Sequence, residues 1–518
     1  MSTGADSLRA PDRRPDPSVA PDPEIAKGMS ASLRWTGPGR IAGRGINLLL
    51  QIVLGRALGP VGFGLYSLGF ALVDVLKQFS LLGLQNGVVK FGSIHLADRD
   101  YNSLRACFRV SHVAVLTSGA LIGGALFLGA PLIAERWLTE PALTPSLRMF
   151  AIGLPFYAWM ILAQYWAWAL RRVDLDVVLV DLLQPAASIL LVSIALGLGL
   201  GLPFLVSAWA ASCAISAGAS WITYQRILGA FPESEVRAYS SRDLFRVSMP
   251  ILFVGFSYIL MGHVDKLMLA HYRGAAAVGT YTAAFRLSRQ LGVIQGAMAP
   301  VFAPLVSALN HTRNDTELRH VYQLVTRWIL TLSFPVVLAS IFFGDVLLGL
   351  FGGEFRGAWP LLIILLAGQV INLGGGVAMQ FLQMTGAQDL DLRIILTGLA
   401  ANVVLNLALI TRYGEMGAAL ATAIAFTTIS VCRVIAVNRR FEMWPVSRSC
   451  WKPLAATGVA GLVVAGARLL VPGGLGSALL LGTLLLVTYG GVLFLLGVPE
   501  EDTRVFGRFW PGRQGGTS

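Results

Sequence analysis

Charge is scarce in this chain. Only 13% of its 518 residues are Asp, Glu, Lys or Arg, while 55% are hydrophobic. A water-soluble fold of this length would lack the polar material to cover its surface. Cysteine is scarce too, and Cys107, Cys213, Cys432 and Cys450 show neither metal-ligand spacing nor a disulfide framework, so they read as free apolar side chains. There is no GxxxxGK[ST] phosphate loop. No loop is long enough for a soluble catalytic domain, the longest being a short basic connector around Glu233 to Arg242. Neither a metal nor a cofactor is expected. The net charge of +12 sits in loops between apolar runs, which points to membrane orientation rather than nucleic acid.

Residues 1 to about 33 mix Pro, Asp and Arg, as in Ala10-Pro11-Asp12-Arg13-Arg14-Pro15, and are expected to form a disordered cytoplasmic tail. The stretch lacks the basic segment and short apolar core of a cleaved leader, so the first span is expected to stay in the mature protein.

What the chain has in abundance is long apolar sequence. Runs of 18 or more residues recur almost from end to end, each able to cross roughly 30 Å of hydrocarbon as a helix. Their continuous rather than alternating pattern excludes a β-barrel. Expected spans lie at about 36–57, 62–86, 108–133, 146–169, 175–198, 203–225, 246–271, 277–301, 324–350, 358–384, 391–411, 416–438, 453–471 and 476–498. The fold class is therefore an all-α polytopic membrane protein of about 14 transmembrane helices. An even count puts both termini on one side. Arg34, Arg40, Lys90, Arg171, Arg172, Arg226, Arg319, Arg439 and Lys452 fall on that side, against Arg56, Arg136, Arg273, Arg356, Arg412 and Arg468 opposite, so both termini are expected in the cytoplasm.

The stretch from Gly55 to Gln85 reads as two apolar helices around a Leu58-Gly59-Pro60 turn. A sparse copy follows 215 positions later, where Gly64, Tyr66, Phe70, Leu72 and Leu76 become Gly279, Tyr281, Phe285, Leu287 and Leu291. At the same offset Asp174-Leu175-Asp176 falls on Asp389-Leu390-Asp391, and Ser207-Ala208 on Thr422-Ala423. Two homologous six-helix lobes are expected, over 34–230 and 240–445, followed by two extra helices within 450–498 and a cytoplasmic tail over 499–518. Six helices per repeat give both lobes the same orientation in the membrane.

An ionisable side chain near the bilayer centre costs roughly 2.5–3.5 kcal/mol on insertion scales, so each needs a partner or a cavity. Asp74 and Lys77, three apart on one helical face, can neutralise each other as a structural pair. Arg286 and Arg289 are also three apart but carry like charge, and they lie roughly 12–17 Å deep by helical rise. Asp265 in the preceding span could partner Arg286, which leaves Arg289 over. The favoured reading is that Arg286 and Arg289, with Lys77, Asp74 and Arg44 from the other half, line a water-filled cavity that accepts an anionic headgroup, since guanidinium offers a planar donor fork to phosphate. The bland alternative has the arginines bonded to helix carbonyls or to Asp74 and Asp181. Asn402 and Asn406, four apart, could join Asp265 around a driving cation. Otherwise they read as interhelical hydrogen-bonding groups, as do Gln369, Asn372, Gln380 and Gln383. Prolines within spans, such as Pro155, Pro185 and Pro335, mark kinks. Tyr165, Trp166 and Trp168 read as anchors near the cytoplasmic end of a span, whereas His263 and His271, the histidines that an acid/base chemistry would call on, can simply be interfacial.

The run Arg56-Ala57-Leu58-Gly59-Pro60-Val61-Gly62-Phe63-Gly64-Leu65-Tyr66, followed by the Gly83-Leu84 helix end, resembles the first hairpin of bacterial polysaccharide-biosynthesis flippases of the multidrug/oligosaccharidyl-lipid/polysaccharide exporter superfamily. Asp265 with Val278-Gly279-Thr280-Tyr281 resembles the start of their second lobe, and the resemblance covers about residues 33 to 498. It implies two lobes around a central cavity that alternates its access, moving an undecaprenyl-diphosphate-linked oligosaccharide across the inner membrane, with a polysaccharide polymerase as an associated partner. The peptidoglycan-precursor branch carries more cavity arginines in its first lobe than the Arg44 and Lys77 found here. Two rivals stand beside this reading. An organic-cation antiporter of the same superfamily calls for an acidic site, and a membrane-embedded glycan polymerase or ligase calls for acid/base groups facing outward.

Overall fold

In a computed structural model of the protein, residues 23–232, 241–470 and 474–497 are described, and no strand occurs among them. The first group of helices is α1 (Pro23–Ser80), α2 (Leu84–Ala97), α3 (Tyr101–Pro131), α4 (Leu143–Ala169), α5 (Val173–Asp176), α6 (Leu183–Gly197) and α7 (Leu202–Ala230). The second is α8 (Ser241–Met261), α9 (Val264–Arg289), α10 (Leu291–His311), α11 (Asp315–Gly349), α12 (Trp359–Gly374), α13 (Ala378–Met384), α14 (Gln388–Tyr413) and α15 (Glu415–Phe441). Helices α16 (Trp451–Arg468) and α17 (Leu475–Leu495) pack on α11. Residues 23–33, expected in the unstructured tail, belong to α1, where Pro23 opens a run of the helix formers Glu24, Ala26, Lys27 and Met29. Most of the connector around 233–242, the rest of that tail and the carboxyl-terminal tail lie outside the described residues.

Helix α1 is two arms that meet at Gly59, whose φ of 62° and ψ of −177° break the helix. Gly43 lies against the backbone of Asp181, and Gly92, just beyond the second arm, lies against Ala169. Both arms thus return to the same end of the first lobe, and Gly59 marks a reversal at the other end. The repeat reproduces this turn: Gly274, 215 positions on, has φ 80° and ψ 179° inside α9. Positive φ recurs at that spacing in Arg171 with Gly386 and in Gly199 with Gly414, so the duplication is written into the loops as well as the helices.

The lobes meet at the two reversals. A Cβ on Gly64 would stand 1.8 Å from the carbonyl oxygen of Ala275, and one on Gly279 would stand 2.0 Å from that of Pro60. Each pair is the 215-residue image of the other. Backbone touches backbone, which only glycine permits. Phe63 fills the space beside this contact with its ring 5.9 Å from both Phe351 and Phe355, all three fully buried. Glu140 of the first lobe accepts from the backbone N–H of Ala275 at 2.7 Å. This end of the lobe interface is therefore packed shut.

The lobes differ in their continuity. Where the first arm of α1 runs on unbroken, its image in the second lobe stops between α8 and α9 at Gly262-His263, and α9 stops again at Gln290. A third interruption, Gly375-Gly376-Val377, separates α12 from α13, and its carbonyls accept from Tyr322 Oη and Gln295 Nε2. Broken helices that open backbone onto a polar space are the usual way membrane transporters build sites.

Eleven helices among the described residues are long and apolar enough to cross a membrane. This differs from the expected count of fourteen in part because the Gly37–Ser80 stretch is a single helix of that set and holds both arms of one hairpin.

Candidate functional site

A cavity of about 580 Å³ lies between the lobes, walled by α1, α8, the α9–α10 junction, α12, α13 and α15. Arg44, Asn47, Leu48 and Gln51 face it from α1 at spacings of three and four, one face of a helix. Arg286 and Arg289 face it from the last turn of α9. Among the described residues no carboxylate lines this cavity.

Arg44, Arg286 and Arg289 form no ion pair among the described residues. Arg286 Nε is buried with no hydrogen-bond partner. Arg289 is exposed to the cavity, with its guanidinium 5.7 Å from the centre of the Phe285 ring. Arg44 reaches across the lobe interface toward α10, where a Cβ on Gly296 would stand 3.6 Å from its Nη2. The bare backbone there leaves room for the guanidinium. Asp181, Asp74 and Asp265 act on Arg44, Arg286 and Arg289 through space without touching them, so three cations on one wall keep donor groups that an anion would meet.

The fourth arginine on the wall, Arg433, is satisfied. Its Nε donates to Asp391 Oδ1 at 2.7 Å, and Tyr258 donates to Asp391 Oδ2 at 2.7 Å. Asp176, the image of Asp391, is held likewise by Arg40 at 2.9 Å and by Trp168 Nε1 at 3.0 Å. Gln383 also donates to Asp391 at 3.2 Å, and Gln383 is the image of Trp168. These repeated buried carboxylates clamp the end of α5 and the first turn of α14.

Lys77 and Asp74 are brought together but not into the cavity wall. Lys77 Nζ lies 2.6 Å from Asp74 Oδ1, Tyr157 donates to the same oxygen at 2.7 Å, and His263 Nε2 lies 2.8 Å from Oδ2. The carboxylate is fully occupied, so this cluster is the structural pair of the bland reading, extended across the lobe interface. His263 is accordingly a half-buried member of that cluster. Lys266, next to Asp265 in the chain, is buried beside it with Nζ 3.5 Å from His263 Nδ1.

Asp265 does not partner Arg286. Its side chain accepts from Tyr281 Oη, from Thr422 Oγ1 at 3.3 Å and from the Lys266 N–H at 2.9 Å. Asn402 and Asn406 bond to each other at 3.0 Å and have no hydrogen bond to Asp265. Trp166, expected as an anchor, is fully buried and donates to Ser111 at 3.1 Å, while His271 meets the carbonyl of Trp137 at 2.7 Å. Arg433 and Gln51 escaped the sequence reading, although Gln51 stands two helical turns from Arg44 on the same face.

Known proteins can be set beside this geometry. Over 207 residues the chain is 25% identical to a protein of Haloferax volcanii named probable flippase AglR, covering 39% of this chain and 43% of that one, so it spans less than half the length of that relative. A Shigella flexneri protein assigned by name as an O-antigen transporter is 21% identical over 416 residues, 77% of this chain and 92% of its own length. In shape the chain is similar to the lipid II flippase MurJ in its inward closed conformation, with a TM-score of 0.68 over 92% of this chain and 99% of that one at 12% identity, which speaks to the fold alone. Residues 53–372, from the Gly59 hairpin through the α12 wall of the cavity, match the polysaccharide biosynthesis protein family, and the chain belongs to that family.

Proposed function

We propose that the protein is a flippase that carries an anionic, lipid-linked oligosaccharide across the cytoplasmic membrane by alternating access between its two lobes. The observation that carries this reading is the trio Arg44, Arg286 and Arg289, unpaired on the wall of one inter-lobe cavity. Guanidinium forks match the oxygens of a diphosphate, and the cavity is within the size range of small-molecule sites, so it accepts a headgroup while the lipid chain stays outside. The relatives whose names refer to flippases or O-antigen transport support the same class of cargo. A cavity wall without carboxylates gives no support to an organic-cation antiporter. The loop arginines support cytoplasmic termini in a bacterial inner membrane, and a polymerase that consumes the delivered units is the partner this reading calls for.

The test is a leaflet-accessibility assay on polyprenyl-diphosphate oligosaccharide in vesicles holding the purified protein. Wild type exposes the sugar on the opposite leaflet, Arg289→Ala lowers the rate at least tenfold at equal protein content, and Arg289→Lys recovers only part because a point charge replaces a fork. An undiminished rate in Arg289→Ala removes that residue from the site, and no movement by wild type ends the reading.

A further inference from the structure

Beyond its guanidinium groups, the cavity wall carries a set of side-chain amides: Gln51 on α1, Gln369 and Asn372 one turn apart on α12, and Gln380 on α13. The oxygens of two of them lack what they need. Gln51 Oε1 and Gln380 Oε1 are buried acceptors without a hydrogen-bond partner, and Gln51 is only 4% exposed. A buried acceptor left unpaired carries its full desolvation cost, and native structures rarely leave one so.

The two kinds of wall group ask for opposite chemistry. Guanidinium groups are pure donors and are served by acceptors such as phosphate oxygens. Unpaired amide oxygens are served only by donors, which neither an ionised diphosphate nor a hydrocarbon chain possesses. Sugar hydroxyls do. A protonated amino sugar also offers donors, yet no carboxylate on the wall compensates its charge.

Position separates the two levels. Along α1 the helical rise puts Gln51 about 12 Å from the Gly59 reversal and Arg44 about 22 Å from it. Along α9, Arg286 and Arg289 lie about 18 and 22 Å from the matching Gly274 reversal. Gln51 is thus nearer the packed end of the cavity than the arginines. Gln369 reaches the first turn of α10, just past Arg289, its Nε2 3.8 Å from where a Cβ on Gly292 would stand.

Resting on the flippase reading, we propose that Gln51, Gln369 and Gln380 are specificity-determining residues that read an uncharged, hydroxyl-rich glycan beside the diphosphate, with Gln51 on the side of the packed end of the lobe interface. Within about 580 Å³ they read the sugars nearest the diphosphate, so selectivity lies in the reducing end of the repeat unit.

The experiment uses the full chain in vesicles with three cargoes: polyprenyl diphosphate alone, the same lipid bearing a neutral disaccharide, and the same lipid bearing a disaccharide with a free amine. Wild type moves the neutral glycan at least about tenfold faster than the other two, because a site built for hydroxyls rejects ligands that leave its acceptors unpaired. Gln51→Met and Gln380→Met keep the volume and remove the acceptor. Each lowers the rate for the neutral glycan by more than that for the bare diphosphate, so the ratio collapses toward one. The ratio is taken within one preparation, so partial loss of folded protein cancels, and Gln369→Leu provides a second position should either methionine variant fail to fold. If wild type moves all three cargoes equally, or the variants keep the wild-type ratio, the flippase reading stands and the assignment of the amides is overturned. If wild type moves none, both fall together.

Discussion

His263 Nε2 stands 2.8 Å from Asp74 Oδ2, joining the break between α8 and α9 to the second arm of α1 across the lobe interface. The two residues lie 189 positions apart. Asp74 also holds Lys77 at 2.6 Å, so removing the carboxylate strands a buried ammonium and frees a lobe contact at once. Asp74→Ala is expected to cost about 3–5 kcal/mol, the usual effect of breaking a buried pair on one side, whereas Asp74→Ala combined with Lys77→Met recovers part of it. Unfolding in detergent measures both.

The reciprocal contact of Gly64 with Ala275 and Gly279 with Pro60 predicts equal sensitivity at two distant positions. Gly64→Ala and Gly279→Ala each drive a methyl group into a carbonyl oxygen, at 1.8 and 2.0 Å in the native backbone. Each is expected to lose about 1–3 kcal/mol or more through forced separation of the lobes, with transport falling in parallel. Gly218→Ala, where a Cβ meets nothing within 4 Å, is the matched control and stays near wild type in a thermal unfolding scan.

Asp391 holds Arg433 in check. Neutralising it as Asp391→Asn frees a guanidinium that already lines the cavity and adds to the three that are unpaired. The expected outcome is tighter binding of a polyprenyl diphosphate, by roughly tenfold to a hundredfold if one charge-assisted contact of about 1.5–3 kcal/mol is gained, together with slower release and a lower turnover. Equilibrium binding and flipping rates on the same sample separate the two effects. The image substitution Asp176→Asn leaves Arg40, which does not line the cavity, with Asp181 alone at 3.6 Å, and is expected to leave affinity unchanged while lowering stability.

Asn402 and Asn406 bond to one another within α14, apart from Asp265. Asn406→Ala is expected to cost well under 2 kcal/mol, as interhelical or intrahelical amide contacts in membranes generally do. Any dependence of transport on sodium or potassium should survive it unchanged. A lost cation dependence would return Asn406 to the coupling site.

The hairpin was legible because Gly-Pro punctuation between apolar runs is local chemistry, and its copy because Gly64, Tyr66 and their images keep one spacing. Arg286 and Arg289 were legible for a similar reason, since like charges on one helical turn cannot satisfy each other. What the sequence hid is pairing over distance. Asp74 finds Tyr157 and His263, 83 and 189 positions away, which no helical spacing announces. The same holds for Arg433, whose partner Asp391 sits on the neighbouring α14. The amides of Gln51 and Gln380 were ambiguous because an amide in a span serves equally as a tie between helices or as a wall of a cavity, and only the location of the open space decides.

The glycine seats at the two reversals have an ancestral implication. Each half of the chain presents both parts of that joint, the bare backbone and the carbonyl that rests on it, so the surface at this end is self-complementary in the manner of a two-fold homodimer interface. A single-lobe precursor could have dimerised through the same seats before its gene doubled, and the present asymmetry, with an unbroken arm on one side and the Gly262-His263 interruption on the other, would be what fusion later allowed the two copies to acquire separately.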